Sequence, residues 1–173
     1  MTRASFLTAV LASLAVGCGS SATAPTPTTP PDPKFSAQLQ TSNEVPPIGN
    51  AESVASGSAT ITFVTTKDAA GAVTGATATV VANLTGFPAG STITVAHIHT
   101  GASGVAGGVL VPLIPPAGSV TLTNGAGSFT QTSPPIDGPT ATSIINNPAG
   151  FYFNVHTALN PGGVMRGQLV RTN

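Results

Sequence analysis

The sequence predicts an all-β protein, an antiparallel Greek-key-like sandwich or barrel of about eight strands with one short helix. Composition gives the first reason. The 173 residues include 20 Gly and 16 Pro, charged residues make up only 6% of the chain, and Thr, Ser, Val and Ala are abundant. Strand and turn formers therefore outnumber the Glu, Lys, Gln and Arg that favour helices. The second reason is a succession of short alternating segments separated by Gly- and Pro-rich turns. The third is Asn124-Gly125 between two such segments, a strong short-range hairpin signal.

Taken in order, Phe35, Ala37 and Leu39 alternate with Ser36, Gln38 and Gln40, the period of a half-buried strand, and Pro46-Pro47 closes that region. Gly57 to Val64 alternates again, Lys67 to Gly71 turns the chain, and Val73 to Leu84 returns, predicting a hairpin. Gly86 to Gly90 leads into a strand over Ser91 to His99. A glycine-rich stretch, Gly101 to Gly108, precedes an apolar strand over Val109 to Ile114, and Pro112 marks that strand as an edge. Ser119 to Thr123 and Gly127 to Gln131 flank the Asn-Gly turn. Pro139 to Asn147 is the one helix candidate, started by Pro139 and stopped by Pro148. Phe151 to His156 and Val164 to Arg171 are the closing strands. Six of the seven phenylalanines, Phe35, Phe63, Phe87, Phe129, Phe151 and Phe153, read as core.

The N-terminus reads as a targeting segment and stands apart from fold reasoning. Arg3 supplies a positive charge, Phe6 to Val16 is apolar over about a dozen residues, and small residues precede the lone Cys18. This pattern resembles a bacterial lipobox, with Ala15 where leucine is common, and implies cleavage before Cys18 and its acylation. The alternative is an ordinary secretory peptide with a chance cysteine. On the first reading, 1–17 is a signal peptide, 18–33 carries the lipidated cysteine and a Pro/Thr-rich tether, and 34–173 is the folded domain. Two or three acyl chains anchor a protein stably. Gly19 after the cysteine, rather than aspartate, resembles the outer-membrane sorting pattern of Gram-negative lipoproteins. The expected setting is thus exported, membrane-anchored, and outer-membrane or periplasm-facing in a Gram-negative cell.

Charge excludes several functions. A formal net charge of zero with so few charged side chains offers no basic face for nucleic acid and no acidic cluster for calcium. No serine sits in an elbow motif beside a histidine and carboxylate. The Gly101 to Gly108 stretch lacks the lysine of a phosphate loop and leads to a strand; it reads as a flexible rim beside His99. Glu44 and Glu52 cannot be nominated as a glycosidase pair from sequence alone.

The chain has three histidines. His97 and His99 share one face of a strand by period-two alternation, and His156 shares a face with Asn154 and Tyr152 on another. Neutral imidazoles suit copper and zinc, so His97, His99 and His156 are the candidate metal ligands, with Asn154 and Tyr152 as supporting or ligand-contacting groups. Ligands to one ion at ~2.0–2.1 Å lie about 3–4 Å apart. The alternative is that the imidazoles hydrogen-bond hydroxyl and backbone groups, or contact a ligand directly. A faint likeness to copper,zinc superoxide dismutase lies in the His-x-His on a β-framework, although that enzyme uses more histidines than this chain has. Glu44 and Arg166 form a candidate structural ion pair between the first and last strands, or else cap separate loops.

Four motifs in order, Phe35-Ser36-Ala37-Gln38-Leu39 leading to Asn43-Glu44-Val45-Pro46-Pro47, Ala96-His97-Ile98-His99-Thr100-Gly101, Tyr152-Phe153-Asn154-Val155-His156-Thr157 and Arg166-Gly167-Gln168-Leu169, resemble the CHRD domain first named from chordin and widespread in exported bacterial proteins. Val164 departs from the glutamate common two residues before the arginine. The resemblance implies an extracytoplasmic β-domain and a binding role, in chordin toward secreted signalling ligands; it does not imply an enzyme. The expected function is a lipid-anchored, non-enzymatic binding module of the cell envelope with a three-histidine site for copper or zinc and an unidentified envelope or extracellular ligand. The alternatives are a copper or zinc metalloenzyme and a purely structural or adhesive envelope protein.

Overall fold

The computed structural model describes residues 30–113 and 119–173. The expected signal peptide, Cys18 and most of the expected tether over 18–33 lie outside these residues, as does the end of the apolar run at Ile114. The folded unit is Pro31–Asn173. Among the described residues eleven strands follow one another along it, with one α-helix. They are β1 (Lys34–Gln40), β2 (Ser56–Lys67), β3 (Val73–Thr85), β4 (Thr92–Thr100), β5 (Val109–Leu113), β6 (Val120–Thr121), β7 (Gly127–Thr132), β8 (Ile136–Asp137), α1 (Gly138–Asn146), β9 (Phe151–Thr157), β10 (Met165–Gln168) and β11 (Val170–Arg171).

The sheet order is β5-β4-β9-β10-β1-β2-β3-β7, every neighbour antiparallel, with β6 beside β4, β8 beside β3 and β11 beside β1. The sheet curls into a nearly closed barrel, settling the choice between sandwich and barrel. Its interior holds Phe35, Phe63, Ile61, Ile98, Phe153 and Met165, all fully buried, and the other phenylalanines expected in the core join them. The expected β2–β3 hairpin forms, with paired residues from Ser56↔Thr85 to Lys67↔Val73. Strand β5 is an edge, and its Pro112 lies opposite His97, a place where a missing N–H removes no ladder bond on the outer side.

The hairpin expected around Asn124-Gly125 takes a different form. The tight turn is present, with φ +50° at Asn124 and +75° at Gly125, the left-handed pair that a type I′ turn needs. The strands it joins nevertheless diverge: β6 pairs with β4, β7 pairs with β3, and only the bridge Thr123↔Ala126 links them. Tertiary partners win over the local signal because Leu122 is drawn into the core and its N–H bonds to the Ser91 carbonyl at 2.8 Å. The turn thus ties the two ends of the curled sheet together.

The helix falls where the sequence places it. Asp137 caps it by accepting from the Thr140 N–H at 2.8 Å, and Ala141 and Ile144 face the core. At the other end of the chain the expected closing strand is broken into β10 and β11 at Leu169, which is buried and bonds to the Phe151 carbonyl.

Gly125 carries a strict requirement. A Cβ built there would stand 1.9 Å from the Phe87 carbonyl oxygen, at a positive φ. Gly125→Ala should lower stability by more than about 2 kcal/mol in chemical denaturation, and an unchanged midpoint would contradict this account of closure.

Candidate metal centre

Strand alternation places Ala96 and Ile98 of β4, and Phe153 and Val155 of β9, in the barrel interior. His97, His99, Tyr152, Asn154 and His156 therefore project from the outer face. The register of the two strands brings them side by side: His97 opposite Asn154 and His99 opposite Tyr152. A bulge between Ile93 and Val95 shifts the register so that Val95 lies opposite His156 and lets both Ile93 and Ala96 turn inward.

An outer face of a barrel is normally wet, yet all seven residues of β9 are buried. Loops cover it. The glycine-rich loop between β4 and β5 is fastened by the site itself: His99 bonds to the Gly107 carbonyl, the Gly107 N–H donates to the Tyr152 hydroxyl at 3.1 Å, Arg166 donates to the Val105 carbonyl at 3.0 Å and Gln168 to the Gly101 carbonyl at 3.0 Å. A flexible rim was the sequence expectation; four side-chain anchors make it a tied roof. On the other side, the loop between β9 and β10 is joined to the segment after β1 through the buried Glu52, which accepts from the Thr157 hydroxyl and the Asn160 amide, both at 2.6 Å.

The three imidazoles converge. One ligand nitrogen from each of His97, His99 and His156 can be chosen so that all lie within 4.8 Å of one another. Two carbonyls decide the tautomers. Nδ1 of His99 donates to the Gly107 carbonyl at 3.0 Å, and Nδ1 of His156 donates to the Pro161 carbonyl at 3.0 Å. Both Nε2 atoms are left with free lone pairs. His97 then presents Nδ1–H to the Nε2 of His156 at 3.1 Å, while the Nε2 of His99 is buried without a partner.

Fixing each imidazole by a bond from its other nitrogen is the usual support for a metal-binding histidine. His97 Nδ1 and His156 Nε2, 3.1 Å apart, have the separation of two ligands on one ion once His97 carries its proton on Nε2 and frees Nδ1. The donor set fits copper or zinc, three neutral nitrogens with one or more coordination positions left open. Such a set needs deprotonated rings, and the environment supplies them. Burial and then the neighbouring His156 and His99 push the His97 pKa down to about 4. Burial likewise lowers His99 and His156, outweighing the opposing carbonyl bonds.

Around the cluster stand other polar groups with little exposure. Tyr152 stacks on His99 with ring centres 4.9 Å apart, and the Arg166 guanidinium carbon lies 4.5 Å from the Tyr152 ring centre. Glu44 and Arg166, expected as an ion pair or as separate loop caps, make no hydrogen bond to each other. Arg166 donates from Nε to the Asn43 carbonyl at 2.6 Å and from Nη1 to the Val105 carbonyl, so loop carbonyls take the places a carboxylate would fill. Glu44 Oε1, Arg166 Nη2 and Asn154 Oδ1 are each buried without a partner. Burial raises the Glu44 carboxyl to about 7 in spite of the favourable charge of Arg166. Gly163, at φ +128°, makes this crowding possible: a Cβ there would meet Asn154 Nδ2 at 2.6 Å and Glu44 Oε1 at 3.0 Å. A surface cleft between residues 44–50 and 159–163 opens beside the cluster with Glu44 on its wall.

Sequence reasoning missed the roof and its fasteners. No sequence pattern assigns Gln168 or Glu52 a part in it; scarcity of charge is the one signal that marks Glu52 as a buried tie. Val164 is fully buried in the core.

A curled antiparallel sheet with a roofed trihistidine face defines the class of domain. The chain belongs to the CHRD family: the CHRD-domain family model matches residues 35–169. No curated protein and no solved structure matches it.

The imidazole environment has a pH signature. The native His97 titrates near 4 and the unfolded one near 6.5, so between these values the unfolded chain binds more protons. Stability is complete above that window and falls as pH drops through it. Glu44, raised from 4.5 to about 7, acts in the opposite sense, and comparison of the metal-free wild type with His97→Gln removes its share. The wild type should lose more stability than the variant between neutral pH and pH ~4 in denaturant titrations; parallel curves would contradict the burial of a neutral His97.

Proposed function

We propose that the protein is an exported binding module, held at a membrane by lipid on Cys18, whose trihistidine site takes up one copper or zinc ion. The observation that carries the metal is the pair of backbone carbonyls, Gly107 and Pro161, that turn the Nε2 lone pairs of His99 and His156 into one spot. A purely structural histidine would have both nitrogens bonded, whereas the buried Nε2 of His99 has no partner. Membership of the CHRD family supports a binding role. The charged residue, apolar run and small residues before Cys18 support export and anchoring, with the tether giving the domain reach to an envelope or extracellular ligand. A bound ion would supply a Lewis-acidic position open to that ligand; His97, His99 and His156 would hold the ion.

Protein purified without a histidine tag should retain, or take up at micromolar concentration, about one copper or zinc ion per chain. His99→Gln should weaken uptake at least about tenfold. Absence of any stoichiometric metal in the wild type by elemental analysis and calorimetry would sink the proposal.

A further inference from the structure

We infer that the metal-loaded site binds a small monoanion, taken between the open coordination position and the side of the cluster formed by Asn154 and Arg166. This rests on the metal reading above and adds the class of ligand.

Strand register makes the first part of the argument. His97 lies opposite Asn154, and Asn154 lies opposite Arg166, so one row across β4, β9 and β10 runs from imidazole to amide to guanidinium on the covered face. Arg166 is 2% exposed and Asn154 is equally buried. Two of the three guanidinium nitrogens are bonded to carbonyls, and Nη2 is left with no partner. Buried ionised groups normally have a counter-charge bonded to them. Arg166 has none bonded to it: Glu44, the carboxyl close enough to feel its charge, makes no hydrogen bond to it, leaves its own Oε1 unpaired and is raised to about 7 by burial.

Charge makes the second part. The ligand group contains His97, His99 and His156 and no carboxylate. Neutral imidazoles leave a divalent ion with its full charge, so loading the site adds two positive charges to a pocket that already holds one in Arg166. The positive charge of Arg166 is felt at His99, where it opposes protonation. A covered site of that sign attracts a compensating anion far more strongly than open water would. The roof sets the size. With His99, His156, Tyr152 and Asn154 buried and only His97 partly exposed, access is narrow, and small ions such as azide, formate or a halide are the ligands to test.

The experiment is titration of azide into the copper(II)-loaded protein at neutral pH without chloride, followed by azide-to-copper charge-transfer absorption. Imidazole titrated in parallel serves as a neutral ligand for the same position. Azide should bind saturably, and Arg166→Met should weaken azide about tenfold more than it changes imidazole, whose affinity reports any loosening of the roof. Arg166→Gln, which keeps a polar group but no charge, gives the same reading if the methionine variant does not fold. Absence of azide binding to the copper-loaded wild type would overturn the anion site and leave the metal reading intact. Equal azide affinity in the wild type and a folded uncharged variant would overturn the part given to Arg166. Failure of the wild type to take up copper or zinc would remove the metal reading and this inference together.

Discussion

Three uncharged imidazoles held close together under a roof of loops are the constraint around which this domain is arranged. Water would solvate these rings easily, and their crowding would then need no explanation. Instead β9 is covered on both faces, and the cover is bonded to the cluster. The Gly107 carbonyl fixes one ring and the Pro161 carbonyl another, so both loops orient imidazoles as well as exclude solvent. The barrel supplies rigidity underneath: Ile98, Phe153 and Val155 lock the same two strands into the interior, and packing of that density leaves the outward side chains little freedom.

Much of this was legible in the chain. Alternation identified β1 to β4 and β9, the prolines marked an edge strand and a helix start, and period two placed His97 with His99 and Asn154 with His156. The chain's local patterns could not show which strands become neighbours. Asn124-Gly125 illustrates the limit, because its turn chemistry is local and correctly read, yet β6 and β7 choose β4 and β3 over each other. The bulge near Val95 is likewise a product of pairing with β9. Tautomer control was invisible for the same reason: it resides in backbone carbonyls, which every residue possesses.

Glu44 and Arg166 are both buried yet make no hydrogen bond to each other. Two buried opposite charges in a chain with few charges invited a bidentate pair. The guanidinium instead clamps the Asn43 and Val105 carbonyls, stitching the segment after β1 to the loop after β4, while Glu44 is pressed against Gly163 and Asn154. Desolvation outweighs attraction at the carboxyl. The result is a cluster whose polar atoms are incompletely paired at the place where the imidazole nitrogens converge, and unsatisfied buried groups gathered at one spot are the mark of a binding site more than of a stabilising network.

The most direct measurement is X-ray absorption fine structure at the zinc or copper edge of the metal-loaded protein. The account predicts three nitrogen scatterers at ~2.0–2.1 Å with the outer-shell pattern of imidazole rings. A spectrum showing one imidazole or none around the ion would contradict it.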